Sequence, residues 1–290
     1  MKYKSFAKLN LCLDVIGKRE DGYHELDMIM VPIDLFDTIT IEISDTMQMK
    51  TNKGYLPLDE RNTIVKAINI LRDKYHFTEN FSIDLVKNVP TQGGMGGGSS
   101  NAATTIRMIN KMLDLKMSEA KMLLIGEQVG ADVPFCIYGR PATVKGFGDI
   151  IEPIQVNLDM FIFIVKPKWG VSTPQAFNSL NLNNLYHPHC KAVVKSLEDN
   201  DYDLFIDSIG NSLEDGAFKI VPDIKTIKKQ LFDFGFDAAV MSGSGSTVFA
   251  ITKDEDLVNR AVTYFVDKYA FVKKSRLIKD VRSEEDISNF

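Results

Sequence analysis

Residues 90–100 read PTQGGMGGGSS. Pro90, Thr91 and Gln92 lead into Gly93, Gly94, Met95, Gly96, Gly97 and Gly98, and Ser99 and Ser100 follow. Beyond them Ala102, Ile106, Ile109 and Leu113 recur at three- and four-residue steps. That spacing predicts an amphipathic helix starting near Asn101. Glycines let a backbone come close to a ligand, and the helix behind them offers unsatisfied N–H groups and the positive end of its dipole. Polyphosphate is the natural guest, so residues 90–100 are expected to cradle a chain of phosphates. The segment has neither Gly-Lys-Ser/Thr nor the G-x-G-x-x-G spacing of the commoner phosphate loops. A flexible glycine-serine linker is the alternative, but a linker would not lead straight into an apolar-faced helix.

Upstream, Phe81–Val86 reads as a short strand and Asn62–Lys74 as a helix, with Ile64, Ala67, Ile68 and Leu71 on one face. Ile39–Ile43 alternates and Leu26–Ile33 is largely apolar, so two strands are expected there. In Phe6–Val15, Ala7, Leu9, Leu11, Leu13 and Val15 alternate with Lys8, Asn10, Cys12 and Asp14. Period two puts Lys8 and Asn10 on one face and the apolar set on the other. Downstream, Ser118 with Glu119 opens a helix that ends at Gly130, and Asp132-Val133-Pro134 starts another. Thr143–Ile151 carries Gly146 and Gly148, and Met160–Val165 is a strongly apolar strand. Helices follow around Asp203–Leu213 and Ile224–Phe234. Then come a glycine turn at Ser242–Ser246 between two apolar runs, and a closing helix and strand. Strands and helices intermix without strict alternation, which predicts an α+β fold. A change of domain is expected near Asn157, giving 1–157 and 158–290.

At 290 residues and 44% hydrophobic content the chain can bury a substantial core. No apolar run approaches the ~18 residues of a membrane span, and the N-terminus lacks the apolar stretch of a signal peptide. Net charge is −5 and the lysines are scattered among acids, so neither nucleic acid nor a membrane is an expected partner. The three cysteines, Cys12, Cys136 and Cys190, are odd in number and far apart. This argues against a disulfide framework and for a reducing cytoplasm. A monomer or weak homodimer is expected.

Several features mean little alone. Asp132, two residues before Pro134, is well placed to cap a helix. Lys8 alone would be a solvated charge, and the Ser242–Ser246 turn is as readily a hairpin as a ligand contact. His187-Pro188-His189-Cys190 falls short of a metal site, because no second ligand cluster accompanies it. No protein-bound metal is expected.

Taken together, Ala7-Lys8-Leu9-Asn10-Leu11, Asp21-Gly22-Tyr23-His24-Glu25-Leu26, Pro90–Ala103, Gly130-Ala131-Asp132-Val133-Pro134 and Ser242-Gly243-Ser244-Gly245 resemble the GHMP kinase superfamily of small-molecule kinases. They occur in family order up to about Ala250. The pairing of AKLNL with DGYHEL resembles the branch whose substrate is a diphosphocytidyl sugar alcohol. The resemblance implies an N-terminal domain like ribosomal protein S5 domain 2 and a ferredoxin-like C-terminal domain, with the active site between them. It implies ATP-dependent phosphorylation of the 2-hydroxyl of 4-diphosphocytidyl-2-C-methyl-D-erythritol in non-mevalonate isoprenoid synthesis. Asp132 would be the general base and Lys8 its catalytic partner, with Asn62 near the nucleotide. Tyr23 and Phe177 would sandwich the cytosine while His24 hydrogen-bonds its edge, and Asn10 and Thr173 would line the acceptor site. Mg²⁺ would bridge the phosphates, with Ser99 or Ser100 as a ligand. One departure is Gln92, which stands where the family has glycine or alanine. The rivals are a kinase for homoserine, mevalonate or a sugar, and a silent nucleotide-binding relative.

Overall fold

The computed structural model describes residues 1–288. Two long antiparallel strands, β1 (Lys2–Lys18) and β2 (His24–Ser44), open the chain. β2 absorbs both runs that the sequence separates, Leu26–Ile33 and Ile39–Ile43. Then come β3 (Gln48–Thr51), α1 (Thr63–Tyr75), β4 (Asn80–Val86), α2 (Gly97–Met112), α3 (Glu119–Val129), α4 (Val133–Tyr138), β5 (Ala142–Gly146) and β6 (Ile150–Pro153). The second half runs β7 (Phe161–Lys166), α5 (Thr173–Asn178), α6 (Cys190–Asp199), α7 (Tyr202–Ser208), β8 (Gly210–Asn211), α8 (Glu214–Ile220), α9 (Asp223–Phe234), β9 (Ala238–Met241), β10 (Val248–Thr252), α10 (Glu255–Phe265) and β11 (Phe271–Ser275).

The elements form an α+β fold on two sheets. The first is ordered β3-β4-β2-β1-β8, with β5 on β2 and β6 on β5. The second is an antiparallel sheet ordered β11-β7-β10-β9. Counted along the chain, that is fourth, first, third, second, the ferredoxin-like order. In β7 the period of two splits the core cleanly. Phe163 and Val165 join the cluster that includes Ile224, Ile227 and Leu231 of α9 and Leu257, Val258 and Phe265 of α10. Ile162 and Ile164 pack with Ala7, Leu9 and Leu11 of β1 and with Val193 and Leu197 of α6.

β1 departs from simple alternation, and the departure matters for the site. Its pairing with β2 slips between Asn10 and Cys12, so Asn10 opposes Met30 and Cys12 opposes Ile29. This extra residue is a β-bulge, which re-aims the side chains after it. Before the bulge Ala7, Leu9 and Leu11 face the inter-sheet core, whereas after it Leu13 and Val15 face the other cluster. Lys8, Asn10 and Leu13 thereby reach one face.

Two sequence expectations are corrected. The helix expected over Asp203–Leu213 is α7, which ends at Ser208. The chain then goes extended, and β8 pairs in parallel with Cys12 and Leu13 of β1. The Asn211 amide holds that segment by donating to the carbonyls of Met241 and Gly243 at 2.7 and 2.8 Å. The cysteine argument against a disulfide also fails. Cys12 and Cys190 are bonded across 178 residues, because α6 starts against β1. Cys136 is free and buried, and burial pushes its thiol up to about 12, out of the range of thiolate chemistry.

Candidate active site

The glycine run is shorter as a loop and longer as a helix than the sequence suggests. α2 begins at Gly97, four residues before Asn101, behind Gly96 in the left-handed region at φ +63°. Gly97, Gly98 and Ser99 therefore form the first helical turn, whose N–H groups have no intrahelical acceptor. Ahead of it, the carbonyls of Gly93, Gly94 and Met95 accept from Thr247 N, Ser242 Oγ and Lys8 N at 3.3, 3.0 and 3.0 Å. In a trans peptide the C=O and N–H point opposite ways, so the amides of Gly94, Met95 and Gly96 point away from those partners. Side chains have no room here. A Cβ on Gly94 would sit 1.9 Å from the Ser242 carbonyl oxygen, and one on Gly96 would sit 2.9 Å from Lys8 Cγ.

Under the loop lies a buried polar knot. Lys87 pairs with Asp37 and donates to Asn101 Oδ1 at 3.2 Å. Asp37 also accepts from the backbone N–H groups of Asn88 and Val89 at 2.7 and 2.8 Å. The Asn101 amide bonds Asp37 and Ser5 at 2.9 and 3.0 Å. These charge-assisted bonds fix the start of α2 to both β1 and β2.

Lys8 and Asp132 come together. Lys8 Nζ donates to Asn10 Oδ1 at 2.6 Å and lies 3.3 Å from Asp132 Oδ2. The Asp132 side chain is 37% exposed, and it makes no capping bond to α4 although it stands at the N-cap position. The carboxylate is thus turned to a cavity of about 900 Å³ instead of to its own helix. Lys8, Asn10, Tyr23, His24, Asp132, Thr173, Phe177 and every residue from Pro90 to Ser99 line that cavity.

Two expected residues lie outside it. Ser100 donates to the Phe6 carbonyl at 2.6 Å and is buried. Asn62 caps α1, accepting from Ile64 N at 3.0 Å and donating to the Pro57 carbonyl at 2.8 Å. The Ser242–Ser246 turn joins β9 to β10, and its Gly243, Ser244 and Gly245 line the cavity. Gln92 takes φ +51° and leans on Gly170, whose Cβ would meet the Gln92 Cβ at 2.6 Å.

The aromatic residues of the cavity have their own pairing. His24 stacks on Phe177 with centroids 4.9 Å apart, while Tyr23 leans toward Phe147 at 6.5 Å. Burial, and then the charge of Lys18, holds the His24 ring below the ordinary histidine value. His187 sits apart from this cavity and bonds Asp14 at 2.7 Å. Sequence reasoning missed Phe147, Leu13, Leu26 and Lys87 as lining residues. Only Phe147 carried a signal, the flanking Gly146 and Gly148 at φ +72° and +114°.

The N-terminal domain of the GHMP kinases matches residues 62–140, and their C-terminal domain matches residues 193–270, past the Ala250 limit of the motif resemblance. A 4-diphosphocytidyl-2-C-methyl-D-erythritol kinase of Clostridium novyi is 37% identical over 280 residues, covering 96% of this chain and 100% of its own. The enzyme of that name from Bacillus cereus is 39% identical over 259 residues, 89% of this chain and 90% of its own. A crystal structure of 4-(cytidine 5'-diphospho)-2C-methyl-D-erythritol kinase superposes with a TM-score of 0.82 at 26% identity, over 96% of this chain and 99% of that one. On sequence and on fold, the chain belongs to the GHMP kinases, ATP-dependent kinases of small molecules.

Proposed function

We propose that the protein transfers the γ-phosphoryl group of ATP to the 2-hydroxyl of 4-diphosphocytidyl-2-C-methyl-D-erythritol, a step of non-mevalonate isoprenoid synthesis. One observation carries the reading. The Lys8–Asp132 pair, 3.3 Å apart, shares one cavity with the glycine loop and with Tyr23, His24 and Phe177. The names of the relatives from Clostridium novyi and Bacillus cereus support it.

In this reading Asp132 accepts the proton of the acceptor hydroxyl as its oxygen attacks the γ-phosphorus, and ADP leaves. Lys8, oriented by Asn10, stabilises negative charge as it develops on the transferring oxygens. The amides of Gly94–Ser99 hold the phosphates, and Tyr23, His24 and Phe177 hold the cytosine. Thr173, 3.0 Å from the Ser244 hydroxyl, faces the acceptor. Mg²⁺, when bound, would supply positive charge that offsets the charge developing on the phosphates. The chain offers it Ser99, since the Ser100 hydroxyl is already spent on Phe6. Asn62 acts from outside the cavity, by fixing α1 beside Gly98, whose carbonyl accepts from Thr63 at 2.7 Å. Two domains, 1–157 and 158–290, belong to the same proposal, as does a cytoplasmic location, which the Cys12–Cys190 bond itself does not support. The change of sheet between β6 and β7 supports the boundary, which β8 crosses by pairing with β1.

The test is a phosphorylation assay with ATP and Mg²⁺ over a panel of alcohols. Turnover of the cytidine compound alone is expected. Comparable turnover of homoserine, mevalonate or a hexose would replace the substrate, and ATP binding without any turnover would favour the silent relative.

A further inference from the structure

Three lysines are buried among the described residues, Lys8, Lys87 and Lys166. Lys8 has Asp132 and Lys87 has Asp37. Among the described residues Lys166 has no carboxylate partner. Its ammonium donates only to the carbonyl of the next residue, Pro167, at 3.1 Å, which leaves two of its three donors unspent. A buried charge without a counter-charge is costly, and burial lowers the Lys166 pKa accordingly.

Its position explains why such a group is kept. Lys166 ends β7, and the alternation of that strand puts it on the face of Ile162 and Ile164, turned toward β1. Its stem lies under the glycine loop, where a Cβ on Gly93 would meet Lys166 Cδ at 3.4 Å and Thr247 Oγ1 at 2.8 Å. The Thr247 hydroxyl is itself buried without a partner among the described residues. A cation and an idle hydroxyl thus form the floor beneath the backbone that faces the phosphates.

We infer that Lys166 is a positioning residue for phosphate, held without a carboxylate so that a bound nucleoside polyphosphate supplies its counter-charge. The inference rests on the reading of residues 90–100 as a phosphate loop. Lys166 acts through the wall of the loop instead of from within the cavity, by stabilising anionic oxygens held on the far side of Gly93. Those oxygens belong either to ATP or to the diphosphate of a cytidine substrate.

The experiment compares wild type with Lys166→Met and Lys166→Gln, the second keeping a donor for Pro167. Melting temperatures without ligand are combined with titrations of a non-hydrolysable ATP analogue and of cytidine diphosphate. Both variants are expected to melt no lower than wild type, because each removes an unpaired buried charge. Both should bind one of the two probes on the order of tenfold more weakly, and the probe affected identifies the source of the phosphates. A purely structural lysine would give the opposite pattern. Lower melting temperatures in both variants, or unchanged affinity for both probes, would overturn the inference. A wild-type protein that binds neither probe would remove the phosphate loop itself and Lys166's role with it.

Discussion

Asp132 stands where a helix cap and a catalytic base make opposite demands on one carboxylate. A cap turns its oxygen back onto the N–H groups of its helix, whereas this carboxylate meets Lys8 and the cavity. Asp132→Asn should therefore cut turnover on the order of 10²–10⁴-fold in a protein that still folds, with a lowered melting temperature because Lys8 keeps its Asn10 bond but loses its counter-charge. A folded variant with near-normal turnover would sink the assignment. His24 gives a pH prediction with a definite sign. Its pKa is lowered in the folded chain, by burial first, so folding favours the neutral ring. The stability this contributes is complete above the unfolded value of about 6.5 and is lost as pH falls below it. A histidine titration followed by NMR should place the His24 midpoint below 6.5. A midpoint above that value would mean that a carboxylate, not burial, governs the ring.

At the level of elements, α2 separates what sequence can read from what it cannot. Its apolar face, Ala102, Ile106 and Ile109, was legible because helical period and burial coincide. Its start was not, since Gly-Gly-Ser-Ser carries no helical preference and is fixed by tertiary bonds, Ser5 holding Ser100 while Lys87 and Asp37 hold the following Asn101. β1 poses the same problem. Alternation was visible in Ala7–Leu11, but a bulge is set by the partner strand and leaves no mark in β1 alone. The glycines of this element are not equivalent, which yields a test. A Cβ on Gly98 would meet only Thr63, at 3.5 and 3.8 Å, in ordinary contact. Gly98→Ala should stabilise the helix by up to ~1 kcal/mol, raising the melting temperature by about 2 °C in calorimetry. Gly94→Ala should do the reverse, because φ is +71° and the Ser242 carbonyl blocks the new atom. If Gly98→Ala also lowered the melting temperature, α2 would not begin at Gly97.

Over the whole molecule, the site was legible as a set of residues but not as a geometry. Motifs separated by more than a hundred residues were assigned to one cavity, and Lys8, Tyr23, Asp132 and Phe177 do line one. The pairings within it depend on how the two halves pack, which no local pattern encodes. The same packing brings Cys12 to Cys190 and lays His24, not Tyr23, against Phe177. That arrangement makes the two walls of the proposed cytosine clamp unequal. Tyr23 is 67% exposed and contributes little to the fold. Phe177 is half-buried, and it packs on both His24 and the main core. Stacking of a base on an aromatic ring is worth roughly 1–3 kcal/mol, so either alanine substitution should weaken the cytidine substrate about five- to 150-fold. Tyr23→Ala should do so at constant melting temperature, whereas Phe177→Ala should also lower it. Affinity for ATP should hold in both variants, because the proposed phosphate contacts come from the backbone amides of the loop and not from the rings, which pair with Phe147 and His24. Isothermal titration with each ligand separates the cases. Tyr23→Ala is the decisive variant: if it bound the cytidine compound as tightly as wild type, the base would have to be gripped elsewhere, and the homoserine and mevalonate alternatives would return.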